Sequence, residues 1–227
     1  MALPLQTGIA IAAFAVAGGW SSARVATAYS GRQFSVPIAV VLCAVLGAWA
    51  AAIVGWPLVF VVTLGLAWTL LTLAAIDILA FRLPDLLTLP LAAAGLAVSL
   101  TVPDVLWTHG IATAIAIDKL RDHALGLVIG YCAFAALGWA FARVRGREGL
   151  GLGDAKLAAA AGAWLGWAPL PSVILIACAA GFLWVATMTV MRGRAALTER
   201  IPFGVALAIA IWVVWLYGPL EFPGAAS

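Results

Sequence analysis

Residues 33–76 contain no charged side chain. A helix needs about 20 mostly apolar residues to cross the hydrocarbon core of a bilayer, so this run is long enough to cross it twice. The Trp56-Pro57 step near its middle is a natural place for the chain to turn back. Composition extends the inference to the whole chain, which is 66% hydrophobic and 9% charged. Soluble domains are about half apolar and about a quarter charged. The chain therefore reads as an all-α polytopic membrane protein, a single integral-membrane domain over 1–227, whose first partner is the lipid bilayer. Apolar runs and proline or glycine breaks predict about eight transmembrane helices, near 7–27, 36–54, 58–80, 86–102, 123–143, 155–168, 171–191 and 202–218. The fourth and sixth are short, and a second break falls at Ala168-Pro169-Leu170-Pro171. The first run lacks a basic leader and a small-residue cleavage site, so it is expected to be a retained helix. Residues 111–117 are expected to form a short interfacial helix, and the tail from Glu221 to Ser227 is expected to be disordered.

Basic residues set the orientation of such a chain. Arg24 and Arg32 flank the first connection, Arg82 the third, Arg143, Arg145, Arg147 and Lys156 the fifth, and Arg192, Arg194 and Arg200 the seventh. Ten of the twelve Lys and Arg thus fall at odd-numbered connections. Lys119 and Arg121 fall at an even one, offset by Asp104, Asp118 and Asp122. Odd connections are expected to face the cytoplasm, with both termini outside. The net charge of +3 is topological and points to no nucleic-acid partner. Cys43, Cys132 and Cys178 lie in apolar runs without a CxxC pair. They suggest neither a metal site nor a disulfide framework. His109 and His123 fall in one polar segment.

Two aspartates interrupt this apolar pattern. Asp77 lies in the last turns of the third helix, and Asp154 ends Gly151-Leu152-Gly153-Asp154 at the start of the sixth. A carboxylate at membrane depth costs roughly 3 kcal/mol on insertion scales, and by default it marks a functional site. Both helix ends map to the cytoplasmic side, so residues 77 positions apart in sequence share about one depth. Two such carboxylates can share a proton and activate a water, as in an aspartic protease. For Asp154 alone, the simpler role of helix N-cap stays open. It does not explain Asp77, which follows an apolar run. Asp85, after Pro84, is expected to cap the fourth helix, and Arg82 to anchor the interface. Lys156 has two open readings, snorkelling to the interface or balancing the negative charge of the pair. Gly151 and Gly153 permit close backbone approach at the site. The tryptophans, among them Trp56, Trp107, Trp164, Trp167, Trp212 and Trp215, read as interface anchors or packing.

Two segments carry a resemblance. The first, within 70–91, is Asp77 followed by Leu83-Pro84-Asp85-Leu-Leu-Thr88-Leu-Pro90-Leu91. The second, 146–166, is Gly146-Arg147-Glu148-Gly149-Leu150-Gly151-Leu152-Gly153-Asp154-Ala155-Lys156-Leu157, then Gly162-Ala-Trp164-Leu-Gly166. Both resemble the prepilin peptidases, or type IV leader peptidases, which are membrane aspartic proteases of the GxGD class. Arg200-Ile201-Pro202-Phe203-Gly204 resembles the start of that family's final helix, here expected over 202–218.

The resemblance implies catalysis by Asp77 and Asp154, with Gly151, Gly153, Lys156, Asp85 and Arg82 in substrate-binding or supporting roles. It implies a type IV prepilin or pseudopilin as substrate, cleaved after a glycine at the cytoplasmic face of a bacterial inner membrane, with no cofactor and no metal. Many members also carry a cytoplasmic domain with two CxxC pairs that binds zinc, and they methylate the new N-terminus. Residues 28–36 are too short for that domain and hold no cysteine, so peptidase activity alone is expected. Presenilin-like proteases also use GxGD, but they pair it with Tyr-Asp and Pro-Ala-Leu segments. Here Ile76 precedes Asp77, and Pro-Ala-Leu does not occur. A proton-coupled transporter would place its carboxylates near the bilayer midplane. A non-catalytic assembly factor would leave the motif without work.

Overall fold

In a computed structural model, residues 5–55, 57–101, 116–145, 151–193 and 201–221 are described. They form eight helices and, among the described residues, no strand. The helices are α1 (Leu5–Ser30), α2 (Val36–Ile53), α3 (Pro57–Ala80), α4 (Asp85–Thr101), α5 (Ala116–Arg145), α6 (Leu152–Leu165), α7 (Leu170–Arg192) and α8 (Phe203–Tyr217). This is a polytopic helical membrane protein. Five helices, α1, α2, α3, α5 and α7, are long and apolar enough to cross a bilayer unaided. The other three are shorter, at 17, 14 and 15 residues for α4, α6 and α8.

Two helices depart most from the apolar pattern. Helix α5 starts at Ala116 rather than near 123. Its polar first turns hold Asp118, an acidic residue favoured at the positive end of a helix dipole. Most of the expected interfacial helix at 111–117, with Trp56, Trp107, Arg194, Arg200 and nearly all of the tail, lies outside the described residues. Helix α6 runs from 152 to 165 rather than from 155 to 168. The Gly151 carbonyl accepts the Asp154 amide at 3.1 Å, which begins the helix before the aspartate. Gly166, at φ +82°, ends it in a left-handed turn that a side chain would strain. The apolar residues Trp167 and Ala168 therefore follow the helix rather than extend it.

The short helix α6 is the centre of the molecule. Every residue from Leu157 to Leu165 is buried, and α6 packs against α4, α5, α7 and α8. In lipid, helices gain little from hiding apolar surface from one another, so association rests on close packing between small residues. The run Ala158-Ala159-Ala160-Ala161-Gly162-Ala163 meets this need. Gly126 of α5 lies directly on Gly162, and Gly130 lies on Ala158, so the backbones themselves touch.

Tryptophans bolt the remaining helices to this centre. Trp164 donates its indole N–H to the Leu91 carbonyl of α4 at 2.7 Å and meets Trp215 edge to face at 5.4 Å. Trp215 donates to Thr63 Oγ1 of α3 at 2.9 Å, which joins α8 to α3. Ser22 and Thr72 share a buried hydrogen bond of 2.9 Å between α1 and α3. Trp164, Trp212 and Trp215 are thus core residues, whereas Trp167 is exposed.

The α5–α6 contact predicts a sharp contrast between two glycines. Gly162→Val should cost about 3 kcal/mol, because its side chain would enter the α5 backbone. Gly65→Ala places a methyl where nothing lies within 4 Å and should leave stability unchanged or slightly raised. Thermal unfolding in detergent checks both, and an unaltered midpoint for Gly162→Val would refute the contact.

Candidate active site

Helix α3 ends one turn after Asp77. Phe81 closes it in a left-handed conformation, at φ +52°, and donates its amide to the Asp77 carbonyl at 2.8 Å. Asp77 itself is buried, at 5% exposure, and among the described residues its Oδ2 has no hydrogen-bond partner. A buried carboxylate oxygen left unpaired is costly and is rarely kept without a use.

The N-terminus of α8 faces this oxygen. A Cβ built on Gly204 would fall 2.8 Å from Asp77 Oδ2, so the approach requires glycine. The first-turn amides of Gly204 and Val205 are turned toward the carboxylate. They present the positive end of the α8 dipole to it.

Asp154 reaches the site from the other direction. It is the third residue of α6, and its Oδ2 accepts the Gly151 amide at 3.2 Å. This is half of a capping box, since Gly151 has no side chain to return the bond. Asp154 therefore does help to cap α6, from inside the helix rather than ahead of it. Its charge is felt at Asp77, which puts the two carboxylates within electrostatic reach. Helices α4 and α8 each pack against both α3 and α6 and so hold the two aspartates together.

Leu83 lies between the aspartate-bearing segments. Its Cβ is 3.0 Å from a Cβ built on Gly153, and its Cδ1 is 3.1 Å from one built on Gly204. Gly153 is thus half-buried under Leu83, whereas Gly151 is exposed. Residues 146–150, which begin the second motif, lie outside the described residues.

The charged neighbours take roles that differ from the expected ones. Asp85 does not cap α4 with its side chain. The Pro84 carbonyl accepts the amides of Leu87 and Thr88, and the Asp85 carboxylate pairs instead with Lys156 Nζ at 2.5 Å. Lys156 therefore neither snorkels freely nor turns to the aspartate pair. Arg82 is exposed, and among the described residues no ion pair joins it to either aspartate. Sequence reasoning missed Gly204 and Leu83 as site residues. The Pro202-Phe203-Gly204 stretch was the available signal for the first, and the Leu83-Pro84-Asp85 run in the α3–α4 connection was the signal for the second.

The model of the type IV leader peptidase family matches residues 64–186, more than half of the chain and inclusive of both aspartates. Three relatives are named prepilin leader peptidase/N-methyltransferase. The one from Burkholderia pseudomallei (strain K96243) is 44% identical over 144 residues, covering 63% of this chain and 42% of its own length. That from Aeromonas salmonicida (strain A449) is 39% identical over 153 residues, 67% of this chain and 48% of its own. That from Pseudomonas putida is 36% identical over 182 residues, 80% of this chain and 58% of its own. The chain spans about half the length of these relatives. No solved structure matches it significantly. A family match across the whole region that holds the aspartate segments, in a helical membrane chain, makes this protein a member of the type IV leader peptidase family.

Proposed function

We propose that this chain is a membrane aspartic endopeptidase that removes the short basic leader from type IV prepilins or pseudopilins. The observation that carries the reading is the buried Asp77, one oxygen of which has no partner among the described residues, within electrostatic reach of Asp154. In this reading the two carboxylates share one proton, as like charges brought close together disfavour joint ionisation. The ionised member takes a proton from water as that water attacks the scissile carbonyl. The protonated member donates its proton to the developing oxyanion. As the tetrahedral intermediate collapses, one of its hydroxyls returns a proton to the member that had donated, the other member passes the proton taken from water to the departing amine, and the pair returns to its starting state. Membership of the family and the relatives' printed name support the substrate class.

Cleavage after the leader glycine is assigned to the cytoplasmic face, from the bias of Lys and Arg toward the connections at that end. The relatives' name also includes methyl transfer. This chain joins α1 to α2 through residues 31–35 alone, without cysteine, and we assign it the peptidase step only.

The decisive experiment incubates purified protein with a prepilin bearing an intact leader and reads the product N-terminus by mass spectrometry. Cleavage after the glycine, with no methyl group added when methyl donor is present, is expected. Asp77→Asn and Asp154→Asn should each lower the rate by about a thousandfold or more while the protein still inserts. Full activity in either variant would sink the dyad. The rate should fall toward acid, where both carboxyls are protonated and no base remains. It should fall again toward alkali, where both are ionised and no acid remains. A flat profile over that range would argue against a shared proton.

Gly204→Ala tests the α8 approach. Its methyl would push the Asp77 carboxylate aside, and a displacement of that kind should cost about ten- to a hundredfold in kcat with the fold retained. Wild-type turnover in Gly204→Ala would remove α8 from the site. Orientation is checked separately, with Arg82→Cys in a chain whose three native cysteines are replaced. A membrane-impermeant maleimide should label that residue only after inverted vesicles are used or cells are opened, and labelling from outside intact cells would reverse the topology.

A further inference from the structure

The two aspartates stand on helices that α4 and α8 hold together, so something must set the distance between them. The connection between α3 and α4 carries the chain from the end of the Asp77 helix to Asp85, at the start of α4. It leaves α3 at Phe81, whose amide is tied to the Asp77 carbonyl, and it meets the first turn of α6 at two points. Leu83 rests on Gly153, and the Asp85 carboxylate holds Lys156. The residues on either side of Asp154 along α6 are thus both gripped by the segment that follows Asp77.

We propose that Asp85 and Lys156 form a clamp that sets the separation of the aspartate-bearing segments, which makes both of them positioning residues. This rests on the peptidase reading above. Lys156 lies two residues beyond Asp154, and side chains two apart on a helix point to different faces. Lys156 therefore grips α4 from a face of α6 that Asp154 does not use. The pair is partly exposed, 27% for Lys156 and 58% for Asp85, and pairs of this kind add little to stability. Its contribution is register. Loss of the clamp should loosen the geometry of the pair of carboxylates without unfolding the bundle.

The test has one arm independent of activity. In the full chain with Cys43, Cys132 and Cys178 replaced, Leu83→Cys and Gly153→Cys are introduced together. Their Cβ atoms would lie 3.0 Å apart, a short relaxation from the range a disulfide takes. With the clamp intact, mild copper-catalysed oxidation should close this disulfide readily. With Lys156→Met added, closure should slow markedly. A disulfide that fails to form with the clamp intact, or forms as fast without it, overturns the proposal.

The second arm measures prepilin cleavage. Lys156→Met and Asp85→Asn should each lower kcat by about ten- to a hundredfold, with KM and the unfolding midpoint nearly unchanged. The exchanged pair, Asp85→Lys with Lys156→Asp, should recover most of the loss. If both single variants keep wild-type kcat, or if the loss lies wholly in KM, the clamp does not position the carboxylates. A wild-type chain that cleaves no prepilin would overturn the peptidase reading, while the disulfide arm still decides whether the clamp exists.

Discussion

A carboxylate inside a membrane protein must be walled off from lipid by other helices, and the architecture around Asp77 is organised by that requirement. Asp77 is buried near the end of α3, where α8 brings its N-terminal amides toward it and Leu83 of the α3–α4 connection packs at the same Gly204. Each of these approaches depends on a further one. α8 can come close because residue 204 is glycine, and Leu83 can settle because residue 153 is glycine. The tryptophan bolts from Trp215 to Thr63 and from Trp164 to Leu91 then fix α8 on α3 and α6 on α4. The site is the meeting point of four helix ends, and the packing elsewhere keeps those ends in place.

Much of this was legible in the residues. Apolar runs with proline and glycine breaks located all eight helices, seven of them to within three residues at each end. Asp77 stood out because it interrupts an apolar run where capping does not account for a charge, and Asp154 because it ends the Gly151-Leu152-Gly153-Asp154 string at the same membrane face. The misplaced edges have a common cause. Hydropathy reports which residues tolerate lipid, whereas helix ends are set by backbone hydrogen bonds, such as those of Gly151 and Gly166 at the ends of α6. Trp167 and Ala168 are apolar and outside the helix, and Asp118 and Lys119 are polar and inside one.

Side-chain partners were harder to foresee, because they depend on distances between residues far apart in sequence. Asp85 looked like a cap and Lys156 like a free or dyad-facing cation, since each was judged against its own neighbours. In space they are partners across 71 residues. Gly204 follows Asp77 by 127 positions, and only the three-dimensional arrangement reveals that its missing side chain is what admits the carboxylate. The tryptophans were ambiguous for the same reason. Composition cannot separate an indole that faces headgroups from one that finds a buried acceptor.

The brevity of α6 bears on a problem that every hydrolase in a bilayer faces, the supply of water. Fourteen residues make a rod of about 21 Å, roughly 9 Å less than the hydrocarbon thickness. Its neighbour α5 has 30 residues and overreaches it. A helix this short can end below the membrane surface, in a bay between taller neighbours. Asp154 stands in the first turn of α6, at one end of this short helix. A bay open to the aqueous side would bring solvent to a peptide bond without a channel through the membrane, and would leave the permeability barrier intact.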